Sequence, residues 1–429
     1  MDLIAAIATP RGRGGVAIIR ISGEGALALA QKVFLRKGEL VPNTMYAGEI
    51  DGGSFRDYGM CVYFRAPKSF TGEDVVEFHC HGGEEIARGI LERLFALGAR
   101  LAERGEFTKR AFLNGKLSLS AAEGMADMIN AQSEAEIRAG YTLYGEKLTR
   151  DGKELSALLT ECLAGIDADL DYPEEDLEAA TGEMALEKLE TVSSRIRALL
   201  QQFRVGKKLK QGISVVLCGA PNAGKSTLFN TLLGYDRAIV SDVAGTTRDI
   251  VEGDIEIGGV RFRISDTAGL HESENQIERD GISRAEKAIK SADVVLWLKE
   301  ETPLPFGIPK GSALITVGAK SDLGKKSGCD VNVSAETGEG IDELRALIYE
   351  RGYGKENDGV YLMEERHYRA LECAEECVKK AISCIREGLP AELYAEDVAA
   401  ALKALGLLSG ENVSDEVINE IFEKFCVGK

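Results

Sequence analysis

Eight consecutive residues, Gly219-Ala-Pro-Asn-Ala-Gly-Lys-Ser226, carry the spacing G-x-x-x-x-G-K-[ST]. That spacing suits phosphate. Gly219 and Gly224 let the backbone fold back, so that successive N–H groups point at phosphate oxygens, and the start of a helix adds more unpaired N–H groups. Asn222, Ala223, Gly224, Lys225, Ser226 and Thr227 are the candidate contacts. Lys225 can reach the terminal phosphates, and the Ser226 hydroxyl can coordinate magnesium. The motif has meaning only between a strand and a helix. Ile213–Cys218 reads as that strand, and Thr227-Leu-Phe-Asn-Thr-Leu-Leu reads as that helix.

Four later stretches narrow the ligand to a guanine nucleotide. Asp266-Thr267-Ala268-Gly269 follows an apolar strand at Val260–Ser265. An Asp there can hold magnesium through water, and the Gly269 N–H can sense the terminal phosphate. Gly245, Thr246, Thr247, Arg248 and Asp249 lie between the phosphate loop and that strand, where a switch segment belongs, with Thr247 a second magnesium ligand; Ser241, Asp242, Val243 and Ala244, just before them, are further candidate GTP contacts. Ala319-Lys320-Ser-Asp322 follows the strand Ala313–Val317. A carboxylate at Asp322 can accept from both donors on the guanine edge, a pair that adenine lacks. Ser334 and Ala335 open a loop that can close over the base. One part is missing: Leu270 occupies the position after Asp-x-x-Gly, where many GTPases carry a Gln that orients water.

The elements that must position these residues form three kinds of segment. Residues 1–116 mix strands (Ile4–Ala8, Val16–Ile21, Met60–Phe64, Val75–Phe78) with helices (Ala26–Phe34, Glu84–Ala96) in an α+β pattern. From Leu117 to about Phe203 the pattern is helical. Leu155, Leu158, Leu159, Cys162, Leu163 and Ile166 form one apolar stripe, and Leu189, Val192, Ile196, Leu199, Leu200 and Phe203 form another. Asp171-Tyr-Pro-Glu-Glu separates the two, and Arg204–Gln211 reads as a short basic linker. Residues 212–350 alternate strands and helices as in a doubly wound α/β domain. Pro303–Pro309 is a loop, a second linker falls around Gly352–Gly359, and the remainder is helical. The expected fold is therefore multidomain α+β and α/β. An N-terminal α+β domain (1–116) precedes a discontinuous helical domain (117–205 and 354–429), into which a doubly wound phosphate-loop domain (206–353) is inserted.

Composition sets further bounds. A chain of 429 residues with 44% hydrophobic content supports two to four domains with cores of their own. There is no leader pattern and no membrane-length apolar run, which points to a cytoplasmic protein. Nine scattered cysteines suit a reducing compartment. Cys373, Cys377 and Cys384 fall at helical spacing, as on a half-buried face. His79-Cys80-His81 looks like a metal cluster, but its side chains alternate faces on a strand. Net charge is −18, which argues against a broad nucleic-acid surface. Residues 1–116 nevertheless carry a net +2. A basic RNA site there would use Arg100, Arg104, Lys109 and Arg110, which equally describe a solvated face.

The whole chain resembles the tRNA-modification GTPase MnmE (TrmE) family. The resemblance rests on Thr9-Pro-Arg-Gly-Arg-Gly-Gly-Val-Ala-Ile-Ile-Arg-Ile-Ser-Gly23, Phe70-Thr-Gly-Glu-Asp-Val-Val-Glu77, His81-Gly-Gly83, Gly105-Glu-Phe-Thr-Lys-Arg-Ala-Phe-Leu-Asn-Gly-Lys116 and the terminal Cys426-Val-Gly-Lys429. It implies an N-terminal domain that forms a homodimer and binds 5-formyl- or 5,10-methylene-tetrahydrofolate through Arg20, Glu77, Lys116 and Lys429. Basic side chains suit the folate carboxylates, and a Glu suits the pterin donor edge. It implies a partner, the FAD-binding protein MnmG (GidA), and a joint product: a (carboxymethyl)aminomethyl group at C5 of the wobble uridine of certain tRNAs. It also implies a potassium-activated GTPase that compensates for Leu270. Potassium would be held by Asn222, Ser241, Val243 and Thr246, and Glu278 would position water. Glu278, Lys225, Arg248 and Asp249 form the candidate catalytic set.

Two residues depart from the family pattern: Ala319 stands where Asn is usual, and Ser241 where Thr is common. Cys426 reads either as a nucleophile or as a small buried residue. A ribosome-assembly GTPase switch is the alternative function. It shares the nucleotide motifs but accounts neither for the N-terminal block nor for the Cys-Val-Gly-Lys ending.

Overall fold

The fold is that of a computed structural model, which describes residues 2–10, 12–171, 178–220, 222–235, 251–266, 288–299, 307–309, 311–354, 359–361, 364–411 and 413–429. The chain separates into two compact units. The first is Met1–Ala126, Leu143–Leu163 and Leu402–Lys429, and the second is Asp127–Thr142 and Ala164–Ala401.

The first unit is built on a seven-stranded sheet in the order β3-β4-β5-β6-β2-β1-β7. Its strands are β1 (Ile4–Ile7), β2 (Val16–Ser22), β3 (Phe34–Leu35), β4 (Met45–Asp51), β5 (Arg56–Phe64), β6 (Val75–His81) and β7 (Arg100–Leu101). Helices α1 (Ala26–Val33) and α2 (Glu84–Ala96) cover one face. Strand alternation decides which residues they cover. Val76, Phe78 and Cys80 of β6, with Ile19 and Ile21 of β2, enter a core with Ile90 and Leu94. Glu77, His79 and His81 share the opposite face, and Arg20 of β2 lies directly across from Glu77. The His79-Cys80-His81 run is therefore split. Cys80 is buried, His81 Nδ1 lies 2.6 Å from Asp57, and among the described residues no three His, Cys, Asp or Glu side chains gather as a metal cluster.

Helix α3 (Glu106–Leu113) follows β7, then α4 (Leu119–Asn130), α5 (Glu134–Tyr144) and α6 (Lys147–Asp171). Two of the four residues of the proposed basic patch, Arg100 and Arg110, are engaged by carboxylates, while Arg104 stays exposed. Arg110 is buried and donates to Asp2, Glu73 and Glu106, while Arg100 binds Asp2 and Glu106. A buried cation such as Arg110 is retained only with paired carboxylates, and the partly exposed Arg100 shares Asp2 and Glu106 with it, so these two arginines tie α3 to the chain start.

The second unit contains α7 (Glu178–Gln211), β8 (Ile213–Gly219), α8 (Lys225–Tyr235), β9 (Val251–Ile257), β10 (Val260–Asp266), β11 (Val294–Leu298), β12 (Ala313–Ala319), β13 (Val331–Val333), α9 (Ile341–Gly352) and α10 (Glu365–Arg386). Its six strands run β13-β12-β11-β8-β10-β9, parallel except for the β9–β10 hairpin. Val215, Leu217, Ile264, Leu296 and Ile315 fill the core. Of the expected stripe, Leu189, Val192, Ile196, Leu199 and Phe203 are buried and Leu200 is half-buried.

Arg204–Gln211 is not a linker but the end of α7. Gly206 costs a helix interior about 1 kcal/mol. Burial of Leu209 and the stack of Phe203 on Tyr368, 4.6 Å between centroids, offset it. At that end Lys210 donates to Asp127 (2.9 Å) and to Glu364. The chain closes with α11 (Ala391–Ser409) and α12 (Asp415–Glu423).

Candidate functional site

The phosphate loop lies between the central strand β8 and α8. Gly224 has φ 96°, a conformation that favours glycine. Its carbonyl accepts from the Leu228 N–H at 2.9 Å, which begins the helix. Lys225 is buried, and its Nζ donates to the carbonyls of Gly219 (2.9 Å) and Ala220 (2.7 Å), so the ammonium sits inside the curve of the loop. Ser226 Oγ donates to Asp266 Oδ2 at 2.8 Å. The hydroxyl and carboxylate expected to serve magnesium thus converge from α8 and β10, and these hard oxygen donors fit that ion.

The base-recognition loops stand at the ends of β12 and β13. Ala319 is buried, and a Cβ built on Gly224 would lie 3.9 Å from its methyl. No amide is available there to tie the loops together. Lys320, with φ 63°, supplies a tie: its Nζ donates to the Asn222 carbonyl at 3.1 Å. Asn222 itself has φ 64°. Ser321 N–H donates to the Val333 carbonyl (3.0 Å), and its hydroxyl donates to Glu339 (3.0 Å). Ser334 is fully buried, and its N–H donates to the Glu339 carbonyl at 2.9 Å. Thr231 of α8 donates to the Ala335 carbonyl at 3.2 Å, which joins the second base loop to the phosphate-loop helix. Asp322 stays exposed at the rim. Ser241, Asp242, Val243, Ala244, Gly245, Thr246, Thr247, Arg248, Asp249, Thr267, Ala268, Gly269, Leu270 and Glu278 lie outside the described residues.

A second constellation lies in the first unit. Arg20 Nε donates to Glu77 Oε1 at 2.8 Å, and Arg20 Nη1 approaches the Gly428 carbonyl at 3.4 Å. The guanidinium lies 5.6 Å from the ring centroids of both Phe70 and Phe107. The chain terminus is fixed beside it: Phe107 N–H donates to the Lys429 carbonyl (3.2 Å), and Gly105 N–H to that of Cys426 (3.4 Å). Gly428 has φ 100°, and any Cβ there would meet the Ile7 carbonyl at 2.3 Å. Arg20, Glu77 and the terminal loop are therefore brought together. Lys116 Nζ donates to the Pro67 carbonyl at 2.9 Å, and no bond links it to the other three. Cys426 is exposed, so it is not a buried packing residue.

Phe70, Phe107 and His79 adjoin this constellation, to which the sequence alone did not assign them. The His79 Nε2 is buried and lies 3.5 Å from Glu77 Oε2. Its position two residues from Glu77 on a strand was the available signal. Burial disfavours the thiolate at three cysteines, pushing Cys61 and Cys218 up to about 12 and Cys80 up to about 11.

A strand, a phosphate-cradling loop and a helix, backed by a hydroxyl–carboxylate pair, define a P-loop nucleotide-binding protein. Comparison with known proteins places it more narrowly. Residues 119–426 match the model of the MnmE helical domain, and residues 3–116 match that of the GTP-binding protein TrmE N-terminus. A tRNA modification GTPase MnmE of Acetivibrio thermocellus is 38% identical over 458 residues, covering 100% of this chain and 99% of the relative. Those of Nitrosomonas eutropha (40% over 452 residues; 100% and 99%) and Neisseria gonorrhoeae (42% over 445 residues; 99% and 98%) are similar to the same extent. The chain belongs to the tRNA modification GTPase MnmE family. Among the described residues, no helix is long and apolar enough to cross a membrane.

Proposed function

We propose that this chain is a potassium-activated GTPase. With an FAD-binding partner, MnmG, it would install a (carboxymethyl)aminomethyl group at C5 of the wobble uridine of certain tRNAs, using a tetrahydrofolate one-carbon unit. The observation that most supports this reading is similarity to tRNA modification GTPases over the full chain. The division of labour is 1–116 for folate binding and homodimerisation, 117–205 and 354–429 for the helical domain, and 206–353 for the nucleotide. The setting is the cytoplasm.

In this reading Asn222, Ala223, Gly224, Lys225, Ser226 and Thr227 hold the phosphates of GTP, and Lys320, Asp322, Ser334 and Ala335 hold the base. Ser226 and Thr247 hold magnesium, with Asp266 reaching it through water. Asn222, Ser241, Val243 and Thr246 hold potassium, which supplies positive charge beside the phosphates. Leu270 cannot orient water, and Glu278 takes that role. Arg248 and Asp249 complete the catalytic set. Folate is bound by Arg20, Glu77, Lys116 and Lys429. The Arg20 guanidinium suits a carboxylate, and Phe70 and Phe107 give its site an apolar, flat-faced frame.

The test compares GTP hydrolysis in potassium and sodium chloride at equal ionic strength, for wild type and Glu278→Ala. Faster turnover in potassium and a loss of at least about 100-fold in Glu278→Ala are expected. Equal rates in both salts would remove the potassium assignment, and normal hydrolysis by Glu278→Ala would remove that of Glu278.

A further inference from the structure

The face of β6 away from the helices carries Glu77, His79 and His81 in turn, because residues two apart on a strand point the same way. Their partners differ. His81 is exposed, and its Nδ1 lies 2.6 Å from Asp57 Oδ1. Glu77 is held at one oxygen, where Oε1 accepts from Arg20 Nε at 2.8 Å. His79 has no such bond. Among the described residues its Nε2 is buried without a hydrogen-bond partner. The residues that face it across β2 and β5, Ile18 and Met60, are apolar. The carboxylate oxygen it approaches is Glu77 Oε2, at 3.5 Å.

That distance is too long for a good hydrogen bond, which lies near about 2.9 Å. A buried ring nitrogen left without a bond is unfavourable. The gap is nevertheless small. Oε2 closes it by moving about 0.6 Å, and the terminal torsion of a Glu side chain turns easily. The bond from Arg20 to Oε1 stays in place while Oε2 swings towards His79. Arg20, Glu77 and His79 are each mostly buried, so water competes weakly for these bonds.

We propose that His79 is a positioning residue of the folate site, donating Nε2–H to Glu77 Oε2 when that carboxylate takes up the pterin. This rests on the reading that Glu77 accepts from the pterin's donor edge. The carboxylate is then held at both oxygens, by Arg20 from β2 and by His79 from its own strand. Each oxygen accepts more than one hydrogen bond, so both still serve the pterin N–H groups. The bond is completed only with the ligand in place, so its free energy enters the affinity. The role requires the ring proton of His79 to sit on Nε2.

The experiment titrates 5-formyltetrahydrofolate into the full-length protein and follows binding by calorimetry. His79→Gln sets an amide nitrogen close to where the imidazole Nε2 stands, whereas the shorter amide of His79→Asn stops short of Glu77. His81→Asn alters the neighbouring imidazole, which Asp57 engages. His79→Asn is expected to bind at least about fivefold more weakly, with His79→Gln and His81→Asn within about twofold of wild type. Equal affinity of His79→Asn and wild type, or an equal loss in His79→Asn and either other variant, would overturn the proposal. A second measurement needs no folded His79→Asn. The chain has four histidines, so a magnetic resonance spectrum of wild type labelled at the histidine ring nitrogens can be assigned with His79→Gln. Saturating 5-formyltetrahydrofolate is expected to shift the His79 Nε2–H resonance, and a resonance that stays in place would overturn the role. Absence of folate binding by wild type would remove the folate reading itself.

Discussion

In the phosphate loop the candidate contacts Asn222 to Thr227 are consecutive, at the junction of one strand and one helix. At the second constellation Arg20 and Glu77 are 57 positions apart, and the Gly428 carbonyl that Arg20 approaches is 408 positions away. The first site is made mostly of backbone N–H groups and a single cation, so its geometry is carried by local conformation. The second is made of side chains and a chain terminus, so its geometry exists only when a sheet, α3 and the terminal loop are assembled. Local sites tolerate change around them, whereas assembled sites fail when any supporting element moves. The two regions should therefore respond differently to substitution.

The largest expected effect tests the local site. Lys225→Ala removes the only ammonium inside the loop among the described residues, and steady-state GTP hydrolysis should fall by at least about 100-fold. Binding of 5-formyltetrahydrofolate, followed by calorimetry, should not change. Loss of both activities together would break the separation between the two sites.

A smaller effect concerns pH, and the units should differ in sign. In the first unit, burial works against ionisation of Glu106, but hydrogen bonds from Arg100, the Glu103 N–H and Arg110 outweigh it and hold its carboxyl below the usual range. The resulting stability is present above the ordinary glutamate range and is lost as pH falls through the lowered value. In the second unit, burial and then the neighbouring Glu364 push Asp127 up to about 7, against the pull of Lys210. The folded chain then binds a proton between about 4 and 7 that the unfolded chain releases, so this contribution to stability falls as pH rises through that window. Asp127→Asn should accordingly gain melting temperature relative to wild type between pH 5 and pH 8 in scanning calorimetry. A gap that is constant with pH would contradict the assignment.

The same contrast explains what could be read from the sequence. Gly219–Ser226, its strand and its helix were legible because their signals are contiguous. Glu84–Ala96 coincides with the observed helix for the same reason. Strand β9, Val-Glu-Gly-Asp-Ile-Glu-Ile, was hidden because its acidic residues and glycine mask the buried alternation of Ile255 and Ile257. The end of α7 looked like a linker because Gly206 and four lysines and arginines dominate it, whereas tertiary packing of Phe203 and Leu209 decides its conformation. Arg110 read as surface charge because its partners Asp2 and Glu73 are remote in sequence. The members of the Arg20 site came only from resemblance. Spacing held no sign of the cross-strand register that sets Arg20 opposite Glu77, nor of the rings of Phe70 and Phe107 beside it.

The most direct test of the assembled site is a calorimetric titration of 5-formyltetrahydrofolate into wild type and Arg20→Gln, with potassium-dependent GTP hydrolysis measured on the same samples. Loss of the charge-assisted pair predicts affinity weaker by at least about tenfold, roughly 1.4 kcal/mol, with GTP hydrolysis intact. Undiminished folate affinity in Arg20→Gln would contradict the account.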